Sequence, residues 1–231
     1  MTLLRRTTTN LREKGLGKTI ALVWRRASIL LSKVGDLWFD RRYGTDTLQL
    51  VELDDLDIAS ANKVSGMRYE PTRARPLRRL FKAMAFPKAG GFVDFGCGKG
   101  RVLLVASAYG FERVVGVEFS RELCVQARKN LALYSEKNGI QAHVEIIESD
   151  VVDYPIRDDD TTFFFFNPFD ATVMTNVFSN IIASHMNHSR KLWLIYHNPE
   201  FRRVIDEEAF FVRLGSYNFG GCEFVVYTNR N

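Results

Sequence analysis

Four consecutive phenylalanines, Phe163 to Phe166, constrain the fold of this chain more than any other feature. Successive side chains of a strand point to opposite faces, so this run is apolar on both. Such a strand has to sit inside a sheet that is covered on each side. It is expected over Thr161 to Phe166. Around it, from Phe92 onward, short apolar runs alternate with helical stretches, the pattern of a parallel sheet with crossover helices. Strands are expected from Phe92 to Gly96, Arg113 to Phe119, His143 to Glu148 and Lys191 to His197. Helices are expected over Arg101–Tyr109, from an N-cap at Ser120 to about Lys137, and over Ala171–Met186. Phe210–Tyr217 and Cys222–Thr228, joined by Phe219-Gly-Gly, read as a closing hairpin.

The first third of the chain has a different character. Residues 1–42 carry ten basic and three acidic residues, residues 43–62 five acidic and no basic, and residues 63–88 eight basic and one acidic. The net +5 of the whole chain is therefore concentrated ahead of the sheet. Leu16, Ile20, Val23, Ala27, Leu30, Val34 and Leu37 step by four and three alternately, a helical stripe widened by Trp24, Leu31 and Trp38. Three uses of this stripe are open: a cover packed on the domain, a helix lying on an anionic membrane surface, or a dimer seam. The basic block also suits another anionic partner or a solvated face. A second basic helix is expected over about Arg73–Met84. These shifts divide the chain into residues 1–62, a basic amphipathic extension with an acidic connector, and residues 63–231, the catalytic domain.

No run of eighteen apolar residues is present, and the basic start lacks the apolar stretch of a secretory signal. Cys97, Cys124 and Cys222 show no paired spacing, which fits a reducing cytoplasm and excludes a zinc framework. The expected location is cytoplasmic, with peripheral membrane attachment tied to the extension. His185 and His188 lie three apart with no third ligand, so no metal site is expected. Gly15-Leu-Gly-Lys-Thr19 imitates a phosphate loop, but Arg12 stands where the motif needs glycine and no strand precedes it.

The chemistry is expected at Val93-Asp-Phe-Gly-Cys-Gly-Lys-Gly100, where a strand turns into a helix. Gly96, Gly98 and Gly100 make G-x-G-x-G, shorter than the G-x-G-x-x-G loop that leads a helix N-terminus onto a pyrophosphate. Asp94 beside the loop suits a cationic ligand and repels a pyrophosphate. Glu118, ending the second strand, can accept hydrogen bonds from both ribose hydroxyls of an adenosine ligand. A ligand with an adenosyl group and a positive sulfonium, S-adenosylmethionine, meets both demands. Glu148-Ser-Asp150 and Asn167-Pro-Phe169 close the third and fourth strands at the ligand-binding carboxyl edge.

Together these residues resemble the ordered motif set of class I S-adenosylmethionine-dependent methyltransferases over about residues 69–231, and within that class uncharacterised bacterial members. Arg42-Tyr-Gly-Thr-Asp-Thr and Arg68-Tyr-Glu-Pro-Thr carry the likeness upstream. The resemblance implies an α/β fold, a seven-stranded Rossmann-like sheet, mostly parallel with a C-terminal antiparallel hairpin, behind an N-terminal helical extension. It implies that Gly96, Cys97, Gly98 and Gly100 wrap the methionine part and that Glu118 binds ribose. By the same likeness Phe119 lies beside the adenine, Asp150 at the adenine edge, Asn167 near the methyl group, and Tyr69 and Thr72 act as a lid. Asn167, Pro168 and Phe169 resemble the Asn-Pro-Pro-Tyr/Phe motif of enzymes that methylate planar amides or adenine amino groups, without its second proline. The basic flank and Gly116-Val-Glu118 are similar to non-SET lysine methyltransferases. The favoured acceptor is a protein side chain of the lysine type, with nucleic acid and small molecules as alternatives. A non-catalytic nucleotide-binding module and an NAD-dependent oxidoreductase are the readings from other classes.

Overall fold

A computed structural model of the chain describes residues 34–52, 69–138, 143–166 and 169–230. In chain order these form α1 (described over 34–43), α2 (Ala74–Met84), β1 (Gly91–Phe95), α3 (Arg101–Tyr109), β2 (Arg113–Glu118), α4 (Arg121–Asn138) and β3 (His143–Glu148). There follow β4 (Asp160–Phe166), α5 (Ala171–Asn187), β5 (Trp193–His197), the short α6 (Arg203–Asp206), β6 (Phe211–Phe219) and β7 (Cys222–Asn229). The seven strands make one sheet in the order β3-β2-β1-β4-β5-β7-β6. The first five run parallel, and β7 joins β5 antiparallel with β6 outside it. This is the seven-stranded, mostly parallel sheet with a C-terminal hairpin that the sequence implies.

The phenylalanine strand behaves as its composition requires. Phe163, Phe164 and Phe165 of β4 are fully buried between β1 and β5. Phe163 and Phe165 join the layer under α5 with Val173, Val177 and Phe178. Phe164 points to the opposite layer, against Phe92 and the buried faces of α2 and α3. Burying a phenylalanine is worth about 1.5–3 kcal/mol, so this strand anchors both halves of the core.

Helix α2 starts at Ala74, with Pro76 in its first turn, where a missing N–H breaks no helical bond. Its N-cap residue, Arg73, makes no side-chain cap. The cap comes from α1, whose Asp36 accepts the Ala74 N–H at 3.2 Å. Asp36 also pairs at 3.0 Å with Arg101, which opens α3 and is 2% exposed. Asp40, one turn along α1, meets the same guanidinium at 3.2 Å, and Arg101 Nε donates to Thr47 Oγ1 at 2.6 Å. Thr45 and Thr47 donate in turn to Asp40 at 2.8 and 2.6 Å. One buried cation thus fastens residues 36–47 to the helix that follows the glycine loop.

This docking sets which face of α1 meets the domain over its described residues. Asp36, Phe39 and Tyr43 face the domain, while Val34, Leu37 and Trp38 are more than half exposed. The apolar stripe does not cover the domain over its described part, because the Asp–Arg pairing claims the other face. The upstream stripe, Leu16 to Leu30, lies outside the described residues.

Removing one partner of a buried pair leaves the other charge unpaired, at a cost of about 3–5 kcal/mol. Asp36→Ala also uncaps α2, so chemical denaturation should show a loss of about 3 kcal/mol or more. The double variant Asp36→Leu with Arg101→Leu should be less destabilised than Asp36→Ala alone.

Candidate functional site

The carboxyl ends of β1 and β2 build the site. The chain leaves β1 in a tight turn in which the Gly96 and Cys97 N–H groups donate to the Val117 carbonyl at 2.9 and 3.1 Å. Glu118, 3% exposed, then clasps the loop. Its carboxylate accepts the Gly98 N–H at 2.9 Å and the Ser120 N–H at 3.0 Å. Gly98 and Gly100 have φ of 52° and 82°, in the left-handed region that favours glycine. At Gly98 a Cβ would also strike the Tyr69 ring. Gly116 on β2 serves the same close approach: a Cβ there would come within 2.6 Å of Leu103 and 2.7 Å of the Cys97 sulfur.

A cover lies over this loop. Val51 and Tyr69 form a two-residue bridge, and Tyr69 Oη donates to the Thr47 carbonyl at 2.8 Å. Tyr69, Phe119 and Val51 pack on Leu123 in a small apolar cluster beside the loop. Lys99 pairs with Asp46 at 3.2 Å. The structure therefore brings Tyr69, Phe119, Asp94, Gly96, Cys97, Gly98, Gly100 and Glu118 together.

The other expected residues are placed elsewhere on the same edge. Asp150 follows β3 and caps a single 3-10 turn by accepting the Val152 N–H at 3.1 Å. Thr72 is buried, its hydroxyl 3.2 Å from His197 Nδ1 at the end of β5. Phe169 is 5% exposed in the core layer under α5. Asn167 and Pro168 lie outside the described residues.

The electrostatics follow from burial. Asp94 is 2% exposed, and its carboxyl is raised well above the usual range by desolvation and then by the Glu118 charge. Burial also raises Glu118, while N–H bonds from Ser120, Gly98 and Phe119 pull it back. Cys97 is pushed up by burial and by the same two carboxyls, so it is a thiol that fills space rather than a nucleophile. The floor of the site thus holds two acidic side chains away from water, and burial is the larger cause of both shifts.

Sequence reasoning missed two features. His197 is buried, stacked near Phe166 and Phe224 with centroids 3.9 and 4.6 Å away, and burial lowers its pKa to about 3, so it is neutral. Next to it a cleft of about 270 Å³ is lined by Asn198, Pro199, Glu200, Arg202 and Glu223. The pairing of β5 with β7 brings Glu223 to the segment 198–202 that supplies the other four. Among the described residues, no group of three His, Cys, Asp or Glu could hold a metal ion, and no helix is long and apolar enough to cross a membrane.

Comparison with known proteins agrees with this geometry. Residues 92–188 match a family described as "Methyltransferase domain". A protein-lysine N-methyltransferase of Saccharolobus islandicus is 28% identical over 91 residues, 39% of this chain. The chain spans about half (54%) of the length of that curated relative. An RNA methyltransferase from Salinibacter ruber, solved in complex with S-adenosyl-L-homocysteine, superposes with a TM-score of 0.51 at 17% identity, over 70% of this chain and 94% of that one. A SAM-dependent methyltransferase from Aquifex aeolicus gives 0.53 at 13% identity, over 67% and 89%. The chain therefore has the Rossmann-like fold of class I methyltransferases, and residues 92–188 are the part that matches the methyltransferase-domain family.

Two outcomes test the site. Gly98→Ala should destabilise the protein by about 1–2 kcal/mol through its left-handed backbone and the Tyr69 contact, and Tyr69→Ala should recover part of that loss in thermal melts. Asp94 has a folded pKa above its unfolded one, so the stability it contributes is complete at acid pH and is lost as pH rises through the raised value. Asp94→Asn should therefore be more stable than wild type near neutrality, by on the order of 1 kcal/mol, with the gain fading below the ordinary carboxylate range.

Proposed function

We propose that the chain is an S-adenosylmethionine-dependent methyltransferase whose acceptor is a lysine-type amine of a protein. The observation that carries the cofactor reading is the tight glycine loop that Glu118 clasps, set beside two buried carboxyls and covered by the Tyr69 ring. These residues fit the group. Gly96, Gly98 and Gly100 would admit the methionine part, Glu118 has lone pairs left for ribose hydroxyls, and Phe119 and Tyr69 offer apolar surface to the adenosyl moiety. When bound, S-adenosylmethionine supplies an electrophilic methyl group on a sulfonium. Acidic side chains at Asp94 and Glu118 suit a positive charge and oppose an NAD pyrophosphate.

The chain's remaining task is to align the acceptor and strip its water. The acceptor reading rests on the cleft at the end of β5, where Glu200 and Glu223 outnumber Arg202 and give a lining with a net negative charge suited to an alkylammonium side chain. The lysine methyltransferase relative supports the same choice. A nucleic-acid acceptor has support from the RNA methyltransferase neighbour, but the cleft sets two carboxylates against one guanidinium, a balance less suited to a phosphate backbone.

Incubation of a cell extract with tritiated S-adenosylmethionine should label protein, with the label recovered as methyl-lysine after hydrolysis. Label recovered in RNA or metabolites and absent from protein overturns the acceptor. Once a peptide substrate is in hand, Glu223→Gln should raise its KM several-fold with kcat less affected.

A further inference from the structure

We propose that the exposed face of α1, as described over residues 34–43, lies on an anionic lipid surface and holds the domain there. Four observations converge. Val34, Leu37 and Trp38 are 56%, 64% and 54% exposed, and their spacing places them on one helical face. They continue, in register, the apolar stripe written in the sequence from Leu16 to Leu30. The opposite face of α1 is already spent: Asp36 and Asp40 hold Arg101, and Phe39 is buried in the core. The domain therefore cannot take up Val34, Leu37 and Trp38 without breaking those pairs.

The residues beside the face are cationic. Arg41 and Arg42 are exposed, Arg42 lying 5.0 Å from the Trp38 ring centroid. Arg75 of α2 runs along Gly35, so close that a Cβ there would come within 2.8 Å of its Cδ. Residues 1–42 hold ten basic against three acidic residues.

Charge and apolar area together select the occupant. A seam between two copies would bring two segments of net +7 side by side, and like charges repel. A nucleic-acid backbone would answer the arginines but leave the valine, leucine and tryptophan in water. An anionic bilayer answers both, since the apolar face enters the acyl boundary while arginines meet headgroups and tryptophan sits at the interface. Because Asp36 and Arg101 join α1 to the helix after the glycine loop, the carboxyl edge of the sheet is held close to that surface.

The test uses the full chain with vesicles of phosphatidylcholine alone and of phosphatidylcholine with phosphatidylglycerol, followed by co-sedimentation and tryptophan emission. Binding to the anionic vesicles only, with a blue shift, is expected. Leu37→Ser with Trp38→Ser should abolish it. Arg41→Gln with Arg42→Gln should weaken it roughly thirtyfold, and added salt should weaken it further. Both variants should keep the wild-type melting transition, because the altered side chains are exposed. Failure of the wild type to sediment with anionic vesicles overturns the proposal. So does a dimer in light scattering that the Leu37/Trp38 variant dissolves, or retention of an RNA oligonucleotide, in a protein that leaves vesicles untouched.

Discussion

The two N–H bonds that Glu118 accepts from Gly98 and Ser120 hold the functional half of this structure in shape. They fix the glycine loop at one end and the start of α4 at the other. A carboxylate with two backbone donors is satisfied even though it is 3% exposed, and charge-assisted bonds of this kind are among the stronger ones available. The cost appears in Asp94, whose carboxyl shares the same dry pocket and is driven toward its neutral form. Burial and the neighbouring Glu118 charge both disfavour ionised Asp94, and a positively charged ligand at this place would favour its ionised form. Fold stability and ligand preference come from the same pair of side chains.

A second buried charge, Arg101, performs the corresponding task for the upstream region. It begins α3, directly after Gly100, and is held by Asp36, Asp40 and Thr47. The segment that covers the loop, through Tyr69 and Thr47, is therefore tied to the loop's own helix. One guanidinium thus stands between the cover and the helix that follows the loop.

Much of this was legible in the sequence because it depends on local constraints. The run Phe163–Phe166 could only be an inner strand, and its neighbours follow from alternation of apolar runs with helices. The glycine spacing, with an acid before it and Glu118 after it, described the loop before any contact was known. The orientation of α1 was not legible. An apolar stripe ordinarily turns inward, and only the long-range pairing of Asp36 and Asp40 with Arg101 sends Val34, Leu37 and Trp38 outward. The Thr72–His197 contact and the cleft at Glu200 and Glu223 were hidden for the same reason, since residues 72 and 197 meet only through the sheet order.

The central claim is that the clasped glycine loop is an adenosyl-sulfonium site. Calorimetric titration of the full chain with S-adenosylhomocysteine and, separately, with NAD tests it most directly. Saturable binding of S-adenosylhomocysteine, no heat from NAD, and loss of the first in Glu118→Ala is the predicted result. Binding of NAD in place of S-adenosylhomocysteine, or unchanged affinity in Glu118→Ala, would contradict it.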